Sequence, residues 1–121
     1  AGNYVQNAWV GNYYLKSGGY MAQNEWVYDN NYGAYYYLTG EGSYARSSWV
    51  GNYYLKTNGK MAKSEWIYDR NYRAYYYLTG EGSYARNTWI GDYYLKFNGK
   101  MAVNERTPDG YRVDWSGKWI R

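Results

Sequence analysis

The sequence predicts an all-β chain, a solenoid of stacked short β-hairpins, and three observations carry that prediction. A forty-residue block, 9–48, is followed directly by a second, 49–88, with the same residue at 30 of 40 positions, and a third copy opens at Trp89. Tryptophans divide each block again: Trp9, Trp26, Trp49, Trp66 and Trp89 lie 17, 23, 17 and 23 residues apart, so short and long units alternate. Repeats of about 20 residues, each burying its apolar face only against its neighbours, stack into solenoids. The apolar content is aromatic, with 21 Tyr and 7 Trp beside one Phe, and it is interspersed with 15 Gly and a single Pro. Such a composition favours short strands joined by tight turns over helices.

The first short unit, 9–25, opens with Trp9-Val10, a Gly11-Asn12 pair and Tyr13-Tyr14-Leu15. Gly-Asn tolerates positive φ and is a hairpin turn signal of the II′ or I′ kind. A two-residue loop fixes the register, setting Trp9 opposite Tyr14 and Val10 opposite Tyr13. The long unit, 26–48, has a wider loop with the same parity. Trp26, Tyr28, Tyr35 and Tyr37 share one face, and Val27, Tyr36 and Leu38 form the inner wall. Units 49–65 and 66–88 repeat the pair, and 89–105 repeats the short form with Gly91-Asp92 in the turn. After each hairpin a glycine turn leads to a Met-Ala or Tyr-Ala pair that returns the chain for the next unit. At Arg106 the pattern breaks, and 106–121, with Pro108, Trp115 and Trp119, reads as a terminal cap of the kind solenoids need. The chain is thus one module, 1–121. Its first residues, AGNYVQNAW, resemble the tail of an earlier repeat, as in a piece of a longer polypeptide.

Composition excludes several kinds of chemistry. With no Cys and no His, the chain lacks disulfides, the usual zinc sites and imidazole acid–base catalysis; no metal and no cofactor is expected. No apolar run is long enough for a membrane span. A net charge of +4 favours polyanionic surroundings, but it is too small and too dispersed to indicate nucleic acid. Glycoside hydrolysis needs two carboxylates in distinct environments. Glu25, Glu65 and Glu105, Asp29 and Asp69, and Glu41 and Glu81 are copies of one another. Copied acids in copied surroundings suit turn-holding and pairing with Lys or Arg, so the chain is read as a binding module and not an enzyme.

The aromatics carry the candidate function. Trp and Tyr each bring roughly 150–250 Å² of contact surface with a polar handle, and this many exceed what a narrow hairpin stack can bury. Rings from consecutive hairpins then form a shared box. Trp26 and Tyr35 with Tyr54 from the next hairpin make one, and Trp66, Tyr75 and Tyr94 make the next. Such a box attracts a quaternary ammonium at about 0.5–2 kcal/mol per cation–π contact. Met21, Met61 and Met101 are packing residues that could floor it.

The segments WVGNYYLKTNGKMAKSEW and WIYDRNYRAYYYLTGEGSYARNTW carry a family resemblance. A tryptophan, an aromatic pair followed by Leu, a glycine turn and Met or Tyr before the next tryptophan resemble the choline-binding repeats of Gram-positive surface proteins and autolysins, most of all those of cell-separating glucosaminidases. The resemblance covers 9–121. It implies a left-handed superhelix that captures choline or phosphocholine of teichoic and lipoteichoic acids at unit junctions, on the bacterial cell wall and outside the cell. Carried over by position, the sites are Trp26, Tyr35 and Tyr54, then Trp66, Tyr75 and Tyr94. Short units place Asn12, Asn52 or Asp92 where the second aromatic belongs. Their junctions, Trp9 with Tyr37 and Trp49 with Tyr77, are therefore two-walled, and Trp89 meets only the divergent cap. A homodimer through one end of the stack is compatible with this reading.

Two alternatives stay open at this point. The same stacking surface suits a glucan or cell-wall glycan, as in the related repeats of glucan-binding enzymes, with Asn12, Asn52, Asn31 and Asn71 available for hydroxyls. A purely structural spacer would need none of the outward rings.

Overall fold

The structure, a computed structural model, describes residues 4–121; residues 1–3 of the segment read as an earlier repeat's tail lie outside it. Among the described residues twelve strands form six two-stranded antiparallel sheets, each a hairpin of consecutive strands. They are β1 (Ala8–Val10) with β2 (Tyr13–Leu15), β3 (Glu25–Asp29) with β4 (Ala34–Leu38), β5 (Ser48–Val50) with β6 (Tyr53–Leu55), β7 (Glu65–Asp69) with β8 (Ala74–Leu78), β9 (Thr88–Ile90) with β10 (Tyr93–Leu95), and β11 (Glu105–Arg106) with β12 (Arg112–Val113). One 3-10 turn, Ser17–Gly19, is the sole helical element among the described residues. The hairpins fall into two compact units, Ala1–Met61 and Ala62–Arg121, with three hairpins in each.

Register follows from turn chemistry. Trp9 pairs with Tyr14 and Val10 with Tyr13, and the same pairing recurs at Trp49 with Tyr54 and Trp89 with Tyr94. Gly11, Gly51 and Gly91 each sit at φ +60 while the following Asn or Asp does not share the positive φ, the signature of a II′ turn. In the long hairpins Trp26 faces Tyr37 and Tyr28 faces Tyr35, as Trp66 faces Tyr77 and Tyr68 faces Tyr75. Their loop is closed by Asp29, whose Oδ1 accepts the backbone N–H groups of Asn31 and Tyr32 at 2.8 and 3.2 Å. Asp69 does the same for Asn71 and Tyr72. The loop ends in a left-handed residue, Gly33 in one copy and Arg73 in the other.

Each hairpin is completed by its return segment. Leu38 bridges to Tyr44, Leu55 to Met61, Leu78 to Tyr84, Leu95 to Met101 and Val113 to Trp119. The return segment also joins hairpin to hairpin, because its N–H donates to the preceding unit's turn end: Tyr44 to the Asn12 carbonyl and Met61 to that of Tyr35 in the first compact unit, Met101 to that of Tyr75 and Trp119 to that of Asp92 in the second. Where one unit hands over to the next, Asn7, Asn24, Ser47, Ser64, Asn87 and Asn104 all adopt φ near +50. This left-handed step costs most residues about 1–2 kcal/mol, and Asn least.

The core is thin and periodic. Leu38 and Leu55 in the first unit, and Leu78 and Leu95 in the second, are fully buried, flanked by the return-segment alanines Ala22, Ala45, Ala62, Ala85 and Ala102. Tyr36 and Tyr76 join them on the inner face, as their parity requires, whereas Tyr28 and Tyr68 stand about half exposed beside the wide loop. In the cap, Val113 takes the leucine's place and packs with Tyr94, Ala102 and Trp89.

Candidate functional site

Clefts open between hairpins, and two of them differ in the chemistry of their linings. In the second unit Trp66, Tyr75, Tyr93, Met101 and Ser116 surround a cleft of about 340 Å³. Trp66 projects from β7 and Tyr75 from β8, two registers closer to the loop. Tyr93 arrives from β10 of the next hairpin, its ring centroid 5.7 Å from that of Trp66 with the planes at 76°. Met101 is held against Tyr75 by its backbone hydrogen bond of 2.9 Å to the Tyr75 carbonyl. No charged side chain lines this cleft. Three aromatic rings and a thioether around an opening without hydrogen-bond demands suit a group that is cationic, methylated and unable to donate hydrogen bonds.

The first unit carries the same arrangement. Trp26 meets Tyr53 at 5.6 Å and 76°, Tyr35 lies against Tyr28 at 4.8 Å, and the Met61 N–H binds the Tyr35 carbonyl at 2.9 Å. Of the expected trios, Trp26 and Tyr35 lie on one hairpin, as do Trp66 and Tyr75, and the ring set against Trp26 or Trp66 from the next hairpin is Tyr53 or Tyr93, the neighbour of the expected Tyr54 or Tyr94. Tyr54 packs edge-on against Trp49 at 5.0 Å, and Tyr94, only 6% exposed, against Trp89 at 5.1 Å. The reason is register: the second ring of each pair lies directly across from its own hairpin's tryptophan and cannot also reach back to the preceding one. The II′ turn contained that signal already.

The same exclusivity engages the rings expected opposite the short-unit tryptophans. Tyr37 is engaged by Trp26 and Tyr77 by Trp66, both at 5.2 Å. Trp9 is instead ringed by Tyr14, Tyr36 and Tyr44 at 5.2, 5.1 and 5.8 Å. It lines the second of these clefts, about 440 Å³, with Gly11, Asn12, Tyr32, Tyr36, Tyr44, Asn58 and Lys60. Its indole Nε1–H donates to Asp29 Oδ2 at 2.6 Å, so the aspartate that shapes the long loop also fixes the tryptophan of the preceding hairpin. Trp89 repeats this with Asp109 at 2.9 Å and packs on Tyr111 and Trp119 of the cap at 6.1 and 6.3 Å. The cap therefore supplies rings to Trp89, with Trp119 standing where Tyr44 stands by Trp9. An indole-to-aspartate bond spanning twenty residues was not visible as a motif; the constant Trp-to-Asp spacing was its only trace.

Electrostatics sort the acids into fixed roles. Glu25 accepts from the Gln23 N–H and from Lys16, which together hold its carboxyl below the usual 4.5. Asp109 is held low by hydrogen bonds from Thr107 and Trp89, and Asp114 chiefly by the Ser116 hydroxyl. Burial, then the nearby Asp29 or Asp69 carboxylate, pushes the Tyr36 and Tyr76 phenols up. Among the described residues no group of three or more acids is placed to hold a metal ion, and no helix is long and apolar enough to cross a membrane.

The choline-binding repeat family model matches residues 3–44, 43–84 and 83–119. Among solved structures, the chain is similar to the choline-binding domain of CbpL from Streptococcus pneumoniae, with 62% identity and a TM-score of 0.92 over 97% of this chain and 65% of that one. It is similar also to the modular autolysin LytC of the same organism, 36% identical with a TM-score of 0.66 over 93% of this chain and 32% of LytC. Choline binding protein F of S. pneumoniae, solved with a peptidoglycan analogue, is 33% identical with a TM-score of 0.66 over 90% of this chain and 37% of that protein. The chain thus spans just under two thirds of the CbpL domain and about a third of the other two. No curated protein sequence matches it significantly.

Proposed function

We propose that this chain, which belongs to the choline-binding repeat family, docks the polypeptide carrying it on choline-bearing polymers of a Gram-positive cell surface, teichoic and lipoteichoic acids among them, without catalysing a reaction. One observation carries this reading: the uncharged cleft of Trp66, Tyr75, Tyr93 and Met101, whose ring pairing recurs at Trp26 with Tyr53. The trimethylammonium of choline or phosphocholine sits among the rings, and the phosphate points outward. The net charge of +4 favours approach to a polyphosphate. A single cleft binds weakly, but several that face one polymer gain about 10²–10⁴-fold through effective concentration when their spacing permits joint engagement.

The test is a choline titration of tryptophan fluorescence, paired with retention on a quaternary-amine resin. Saturation in the millimolar range and elution by choline support the proposal. A flat titration to tens of millimolar, with no retention, rejects it.

A further inference from the structure

The cleft around Trp9 is chemically unlike the one around Trp66, and we infer that it takes a different part of the ligand: a phosphorylated sugar ring. Lys60 reaches over it, with Nζ 5.8 Å from the Tyr32 ring centroid, so the aromatic face that would receive a methylated cation already carries an ammonium. Arg46 lies 5.8 Å over Tyr44, another lining ring. Among the described residues neither cation is paired with a carboxylate, in contrast to Lys16 with Glu25 and Lys96 with Glu105. Asp29, which holds the Trp9 indole, is almost buried and receives three N–H donors, from Trp9, Asn31 and Tyr32, which leaves little of its charge for a ligand. A second quaternary ammonium would thus meet the Lys60 ammonium in the cleft and find no acid in its lining.

An anion meets the opposite situation, and the rest of the lining suits a polyol. Asn58 spends its Oδ1 on the Lys60 N–H at 3.0 Å and keeps its amide donors for the cleft. The Asn12 side chain makes no hydrogen bond among the described residues, while its backbone carbonyl anchors Tyr44 at 3.0 Å. Aromatic surface beside free amides, phenol hydroxyls and an unpaired ammonium is the combination that stacks a sugar ring, hydrogen-bonds its hydroxyls and neutralises a phosphate. The second unit repeats the charged side of this arrangement. There Lys100 lies 5.7 Å over Tyr72, the Asn98 Oδ1 accepts the Lys100 N–H at 3.0 Å, and Tyr72 packs on Tyr76 at 6.3 Å. On the anchoring reading, one phosphopolymer supplies both groups, choline to the uncharged clefts and sugar phosphate to the charged one around Trp9.

Glucose 6-phosphate, glucose and inorganic phosphate serve as probes on the full chain. The readout is ¹⁵N-resolved indole N–H signals, with Trp9 and Trp66 assigned through Trp→Phe variants. Glucose 6-phosphate is expected to shift the Trp9 signal saturably with saturating choline present, glucose and phosphate each to bind at least several-fold more weakly, and Lys60→Met to weaken glucose 6-phosphate about tenfold, as befits one charge-assisted contact. Choline response at Trp66 is read in the same spectra, so failure of the anchoring reading shows separately. Displacement of glucose 6-phosphate from Trp9 by choline, equal binding of phosphate alone, or an unchanged affinity in Lys60→Met overturns the inference, as does the absence of any saturable shift at Trp9.

Discussion

Replacing Tyr93 by Leu removes one π-face from the Trp66 cleft while keeping apolar bulk, and adjacent Tyr94→Leu makes the same change one register away. Tyr93 stands 5.7 Å from Trp66 across the cleft, so Tyr93→Leu deletes one of three cation–π contacts. At about 0.5–2 kcal/mol for that contact, choline affinity at this site falls about 2- to 30-fold, with little change in stability. Tyr94 is 6% exposed and packed with Trp89, Ala102 and Val113. Its replacement leaves choline affinity at Trp66 within twofold and lowers unfolding stability by about 1–3 kcal/mol through lost packing. The assay pairs a choline titration of the Trp66 indole signal with urea unfolding of each variant. If Tyr94→Leu loses choline while fully folded, or Tyr93→Leu binds as the parent does, the register argument that assigns the walls is wrong.

Leu78, fully buried on the inner face, is expected to cost about 2–5 kcal/mol on change to Ala, read as a lower urea midpoint; a loss under 1 kcal/mol would contradict a leucine-centred core. Gly99→Ala would set a Cβ 2.6 Å from Tyr84 Cδ2 at φ +86, whereas Gly91→Ala at φ +60 meets no atom within 4 Å. Gly91→Ala should therefore lose only the ~1–2 kcal/mol of left-handed backbone strain and Gly99→Ala distinctly more, and equal losses in thermal unfolding would refute the crowding. Asp109, Asp114 and Glu25 titrate below their ordinary values of 3.8, 3.8 and 4.5. A depressed folded pKa stabilises above the unfolded value and loses that contribution as pH falls through the folded one. The unfolding temperature should thus hold above about pH 5 and drop on acidification below 4, less steeply in Asp109→Asn; a rise on acidification would contradict these hydrogen-bonded carboxylates.

Much of this was legible because strands impose parity. Gly-Asn after Trp-Val set which residues of the short hairpins oppose which, and strand alternation in the long hairpin turned Leu38 and Tyr36 in and Trp26 and Tyr35 out. The same parity, pressed one step further, separates Tyr53 from Tyr54, since a ring opposite its own tryptophan is already engaged. What sequence did not disclose depends on backbone conformation that many residues adopt. Ser47 and Ser64 take the left-handed step that Asn24 and Asn87 take elsewhere, so no residue type marks the joint, and at the end of the wide loop Arg73 takes the place of Gly33. The bonds from Trp9 to Asp29 and from Trp89 to Asp109 depend on how one hairpin lies over the next, which spacing alone does not define. The placing of Lys60 over Tyr32 and Arg46 over Tyr44 is hidden for the same reason, because charge counted along the chain does not reveal which ring it covers.

A crystal structure of the chain grown with saturating choline tests the central claim most directly. The account predicts a trimethylammonium group between Trp66, Tyr75 and Tyr93 over Met101, and a second between Trp26, Tyr35 and Tyr53. An empty Trp66 cleft at saturation, or choline bound only against other surfaces, would contradict it.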